Sequence, residues 1–197
     1  MADYRIENHI AELSTKNYLK EYRNQQEFIK YCQACPSYQN SWACPPFEYD
    51  PLSRIQHFSY TYIIGSQIHF EQEFINKSID LNIEQVSRQV MKEVRALVDP
   101  QLLNAEQAKG TALAFFAGNC HYCLNRDCTR KENKPCRFPT RIRPSLEAYG
   151  FDIAKTTAKV LGLELKWGKN GCLPPYFILV SGLMSQQRIP NCNSYFR

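Results

Sequence analysis

Seven of the nine cysteines fall into two short groups, and these constrain the fold more than any other feature of the chain. One group is Cys32-x2-Cys35-x8-Cys44, and the other is Cys120-x2-Cys123-x4-Cys128-x7-Cys136. Prolines at 36, 45, 46 and 51 forbid regular structure through the first group, so residues 32–51 are expected to form a cysteine-bearing loop. A chain of 197 residues buries roughly 70% of its unfolded surface and needs no disulfide staples. The first twenty residues lack a basic start followed by an apolar stretch, and no apolar run approaches the roughly 20 residues that cross a bilayer. A cytoplasmic protein without a membrane span is expected, in which cysteines serve as metal ligands or redox groups.

The second group is the stronger metal signal. Four cysteines within 17 positions, opening with a Cys-x2-Cys, can fold around one centre because the short spacer brings both sulfurs to the same side. A structural zinc site usually supplies two tight pairs, whereas only the first pair here is tight. An iron-sulfur cluster often takes a short run plus a later cysteine near proline, and Pro135 and Pro139 flank Cys136. The reading is therefore a [4Fe-4S] cluster on Cys120, Cys123, Cys128 and Cys136, with zinc as the alternative. Cys128 also stands where a zinc knuckle carries histidine, which keeps nucleic acid open as a less favoured partner.

Charge sharpens the same segment. Residues 120–143 hold seven Arg and Lys against two acids, and the rest of the chain is balanced, so this stretch carries the whole net charge of +5. Basic groups beside thiolates stabilise them. Arg137, Arg141 and Arg143 precede an expected helix start at Pro144, where their donors and the helix N-terminus would hold a phosphate or carboxylate. The first group, Cys32, Cys35 and Cys44, is one ligand short. A fourth could come from Cys172, Cys192, His57 or His69, the position could stay open for substrate, or the three could be reduced thiols in a packed loop. Glu147 reads as an acid or base, or as an ordinary first-turn helix residue.

Around the loops the pattern is that of an α+β fold. A strand or irregular segment and short helices open the chain, with Asn24 and Glu27 as a capping pair. Phe58–Phe70 reads as a strand or bent hairpin with Gly65 as a bulge. Asn82 and Gln85 cap a helix whose apolar residues recur from Ile83 to Val98 and which Asp99-Pro100 is expected to end or kink. Thr111–Gly118, Leu163–Trp167 and Tyr176–Leu183 read as strands, and Asp152 caps a helix through Val160. A single 1–197 domain with a mainly antiparallel sheet and packed helices is expected, a ferredoxin-like arrangement among those it fits.

The segments Cys32-Gln-Ala-Cys35-Pro-Ser-Tyr38, Ser41-Trp42-Ala-Cys44-Pro45-Pro46-Phe47, Cys120-x2-Cys123, Pro135-Cys136-Arg137-Phe-Pro139 and Arg143-Pro144-Ser145-Leu-Glu147-Ala148-x-Gly150-x-Asp152 together carry a resemblance. The chain resembles an uncharacterised family of cysteine-rich, predicted metal-binding prokaryotic proteins. That resemblance implies metal binding by all seven clustered cysteines and brings no reaction with it. Gln39 stands where glycine is expected. No phosphate-loop, dinucleotide or nucleophile-elbow motif occurs. Three functions fit: an iron-sulfur protein passing electrons to a partner protein or enzyme; a zinc-stabilised module meeting nucleic acid or an acidic partner; and a metalloenzyme with an open site acting on an anionic small molecule.

Overall fold

The computed structural model describes residues 3–78, 82–123, 126–168 and 172–196, the side chain of Lys109 excepted. Four strands, β1 (Tyr4–Ser14), β2 (Tyr60–Phe70), β3 (Ala112–Phe115) and β4 (Tyr176–Ser185), form one antiparallel sheet in the order β1-β2-β4-β3. The α+β expectation holds. β2 and β4 are central, paired from Tyr60↔Ser185 to His69↔Tyr176, and their residues are buried on both faces almost without interruption. The path from β2 through a helix to β3, with β4 inserted between them, is the split βαβ unit found in ferredoxin-like folds. The strand beside β2 comes from the start of the chain, where a β-α-β-β-α-β order would use its last strand.

Alternation along β2 and β4 divides the core in two. Tyr62, Ile64, Ile68, Phe177, Leu179 and Leu183 face one way, toward Val90, Val94, Val98, Leu102 and Ala105 of the long helix α4 (Ile83–Lys109). Ile63, Val180, Met184 and Phe115 face the other way, toward Tyr18, Leu146, Tyr149 and Phe151. Tyr18 belongs to α1 (Thr15–Tyr22) and stacks on Phe151 at 4.4 Å between ring centroids. Two further helices, α2 (Gln25–Gln33) and α3 (Gln72–Lys77), precede α4, and α5 (Ile153–Val160) precedes β4. Among the described residues no helix is long and apolar enough to cross a membrane.

Three local expectations are corrected. α4 does not end at Asp99-Pro100 but continues to Lys109, where Gly110 closes it in the left-handed conformation at φ 62°. Proline removes one N–H, Ala96 and Pro100 are both exposed, and the apolar stripe of Leu102 and Ala105 keeps the second half of the helix on the sheet. Gly65 makes no bulge, since the ladder runs unbroken through it on both sides. A Cβ there would stand 2.6 Å from Leu161 Cδ1, so glycine marks a close approach over the sheet. Leu163–Trp167 forms no strand; Leu165 and Trp167 line a cavity instead.

Glu106 of α4 ties the helix both to β3 and to the loop that carries Arg143. The Arg143 guanidinium grips the Glu106 carboxylate through Nε and Nη2, and Glu106 Oε2 also accepts the Ala114 N–H at 2.6 Å. Both side chains are largely buried. Removing one partner strands the other, so Arg143→Ala is expected to lower stability by about 3 kcal/mol in urea unfolding. A loss within experimental error would show that the pair does not hold these elements together.

Candidate metal centres in the two cysteine loops

The first loop grows out of α2. Asn24 accepts the Glu27 N–H at 3.2 Å and its amide meets the Glu27 carboxylate at 3.0 Å, the capping pair read from the sequence. The helix runs to Gln33, so Cys32 lies in its last turn and the irregular loop begins after it, not at Cys32. Tight turns then bring the sulfurs to one side: Cys35 N–H donates to Cys32 O, Tyr38 N–H to Cys35 O and Cys44 N–H to Ser41 O, each at 3.0 Å. Gln39 sits at φ 60°, which explains why glycine is the natural residue there. Its N–H donates to Pro45 O at 2.9 Å, and the Pro45–Pro46 bond is cis.

The second loop leaves β3 and aims N–H donors at its sulfurs. The Phe138 N–H donates to Cys136 Sγ at 3.3 Å, and Arg137 Nη1 reaches Cys123 Sγ at 3.5 Å. Cys120 accepts a backbone N–H from Tyr122. Donors aimed at sulfur two residues on, as at Cys120 and Cys136, favour the charged form and orient it for a cation.

Arg130 joins the loops. Its guanidinium donates to the carbonyls of Ser41 at 2.7 Å, Cys44 at 2.5 Å and Pro46, and it lies 5.3 Å from the Trp42 ring centroid. Trp42 Nε1 donates to Lys134 O at 3.0 Å, and the Asn119 amide to Ser37 Oγ at 2.9 Å. Sequence reasoning did not single out Arg130 or Asn119 as joining the loops, because residues some 90 positions apart carry no periodic signal of their contact.

Two cavities open beside the sulfurs. The larger, about 590 Å³, is lined by Cys32, Cys35 and Cys44, by Glu147, and by the exposed rings of Tyr31 and Trp167. The smaller, about 240 Å³, is lined by Cys120, Cys123 and Cys128 together with Ser37 and Ser41 of the first loop. The four residues proposed as a fourth ligand, Cys172, Cys192, His57 and His69, do not line the larger cavity. Cys192 is packed in the core beneath α4.

No disulfide joins any of the nine cysteines. Burial, with repulsion from neighbouring sulfurs, pushes Cys44 and Cys120 up to about 11 and raises Cys32 and Cys136. Glu147 is likewise raised by burial, and its Oε2 is buried without a hydrogen-bond partner. Among the described residues no three Cys, His, Asp or Glu side chains converge as closely as one ion would require. The donor chemistry fits a soft metal nonetheless: mutually repelling thiols with N–H donors on their sulfurs are what a bound cation would deprotonate and draw together.

The three arginines expected to share an anion do not converge. Arg143 is bound to Glu106, Arg137 to Cys123 and to Asp127 O at 2.8 Å, and Arg141 lies over the Tyr122 ring at 4.8 Å. No helix starts at Pro144 to complete the site; a single 3-10 turn, Glu147–Tyr149, forms further on. Glu147 therefore has no long helix dipole to account for it.

A family model described as "Predicted metal-binding protein (DUF2284)" matches residues 18–181. No curated protein and no solved structure matches the chain.

Two measurements follow. A raised pKa leaves less thiolate, so in metal-free protein at pH 8 Cys44 and Cys120 should alkylate roughly 100-fold more slowly than unshifted thiols, with the rate climbing toward pH 11. Mass spectrometry of peptides from timed alkylation reads this directly, and ordinary rates would contradict it. Arg130→Lys keeps the charge but cannot span three carbonyls, and is expected to cost about 2–3 kcal/mol and to raise proteolytic nicking in the 32–51 loop. Unchanged stability and nicking would remove Arg130 as the clamp.

Proposed function

From its membership in the family of predicted metal-binding proteins, to which this chain belongs, we propose a redox metalloprotein with two thiolate centres. Cys120, Cys123, Cys128 and Cys136 hold a [4Fe-4S] cluster. Cys32, Cys35 and Cys44 hold a second metal centre that keeps one coordination position open toward the larger cavity. The cluster supplies one-electron chemistry, directed to a partner protein or to a small molecule seated in that cavity.

The observation that carries this reading is the set of N–H donors on three of the four sulfurs of the second loop. Such donors set both the charge state and the potential of a cluster. The open three-thiol centre is supported by a cavity of about 590 Å³, within the range of small-molecule sites. That cavity has no Lys, Arg or His among its described lining residues, and Glu27, Glu147 and Asp152 border it. It suits a neutral or cationic apolar molecule better than the anion first expected there.

A nucleic-acid module draws little support. Of the seven cations in residues 120–143, Arg130, Lys131, Lys134, Arg137 and Arg143 are engaged within the chain. Nucleic-acid binding would need them turned toward phosphates.

Protein purified without oxygen is expected to be brown, with broad visible absorption that dithionite bleaches and with iron bound in excess of three per chain. Cys120→Ser and Cys136→Ser should lose that absorption, while Cys192→Ser should keep it. A colourless protein carrying stoichiometric zinc would sink the redox reading and leave the zinc-stabilised module.

A further inference from the structure

A separate cleft of about 310 Å³ lies between α4 and the segments carrying His121, Tyr122 and Arg141. Lys92, Arg95 and Asp99 line it, one above another on a single face of the helix. Arg95 is only 6% exposed, and its Nη atoms are taken: one donates to Asn119 O at 2.5 Å and the other to Asp99 Oδ2 at 3.0 Å. Its Nε is buried and has no hydrogen-bond partner. An orphaned donor of this kind costs roughly 1–3 kcal/mol and leaves part of the guanidinium uncompensated beneath the cleft.

The cleft is also electrically prepared. The Asp99 carboxylate is balanced from within by Arg95, and His121 Nε2 lies 3.2 Å from its Oδ2. Lys92 and Arg141, both exposed, are then the charges the cleft presents to a visitor. Arg141 is held in place over the Tyr122 ring.

We infer that this cleft binds a small oxyanion, a carboxylate or a phosphate, between Lys92 and Arg141 and above the buried guanidinium of Arg95. Of the arginines that the sequence grouped as an anion site, only Arg141 takes part. The others are replaced by Lys92 and Arg95, which the chain supplies from α4. None of these groups is a cysteine, so the inference stands apart from the metal reading and is tested separately.

The test is isothermal titration calorimetry of the protein as isolated, at low ionic strength, with inorganic phosphate and malonate as probes. Saturable binding at one site per chain is expected, weakened by added sodium chloride. Lys92→Ala and Arg141→Ala should each reduce affinity about tenfold, and Arg137→Ala, outside the cleft, should not. Preference for phosphate or for malonate assigns the class of anion. In the unmutated protein the Arg95 Nε resonance should shift along the same saturation curve, a readout independent of any variant's folding. If neither probe binds the folded protein, or binding persists in the Lys92→Ala, Arg141→Ala double variant, the inference is overturned.

Discussion

The guanidinium of Arg130 spans the gap between the cysteine loops, and the arrangement of both candidate centres depends on it. Three carbonyls of the first loop converge on it, at Ser41, Cys44 and Pro46. Those carbonyls belong to a proline-rich turn that cannot pair them in a helix or sheet, and a buried carbonyl needs a donor from somewhere. Arginine meets the need because its donors are rigidly spread in a plane. In doing so it fixes Cys44 relative to the second loop, so that Ser37 and Ser41 come to border the cavity of Cys120, Cys123 and Cys128.

The basic character of residues 120–143 takes a different meaning once partners are assigned. A run of like charge on a chain is commonly a solvated face, or an invitation to acidic partners. Here Arg130 and Arg137 serve the two loops, Arg143 serves the buried carboxylate of Glu106, and Lys131 and Lys134 pair with Asp127 and Glu132. Most of the positive charge is spent on partners within the chain, and two of the arginines serve the cysteine loops. A filled cluster of net charge −2, which the same cations are placed to balance, would leave the segment near +3.

Much of the fold was legible in short-range pattern. Caps at Asn24, Asn82 and Asp152 rest on contacts three residues apart, and the spacing from Ile83 to Val98 reports a helix face directly. The misreadings share a cause. Pro100 and Gly65 carry local meanings, a helix end and a bulge, that packing overrode: the stripe continuing through Leu102 held α4 on the sheet, and Leu161 required the space at Gly65. Arg95 and Asp99 sit beside Val94 and Val98 on the buried side of the helix, and charges there were a signal of a polar cluster that the apolar count passed over.

The sequence by itself determined the elements and the two groups of thiols, because helix caps, strand alternation and Cys-x2-Cys turns are decided by neighbours a few bonds away. Tertiary structure decided which cations meet which partners. It sent Arg143 to Glu106 and Arg137 to sulfur, left Arg141 at a cleft with Arg95 and Lys92, and set Cys32, Cys35 and Cys44 around a cavity without a basic residue among its described lining. Those pairings join positions far apart in the chain, and their energies come from burial and directed hydrogen bonds that exist only when the sheet has brought the loops together.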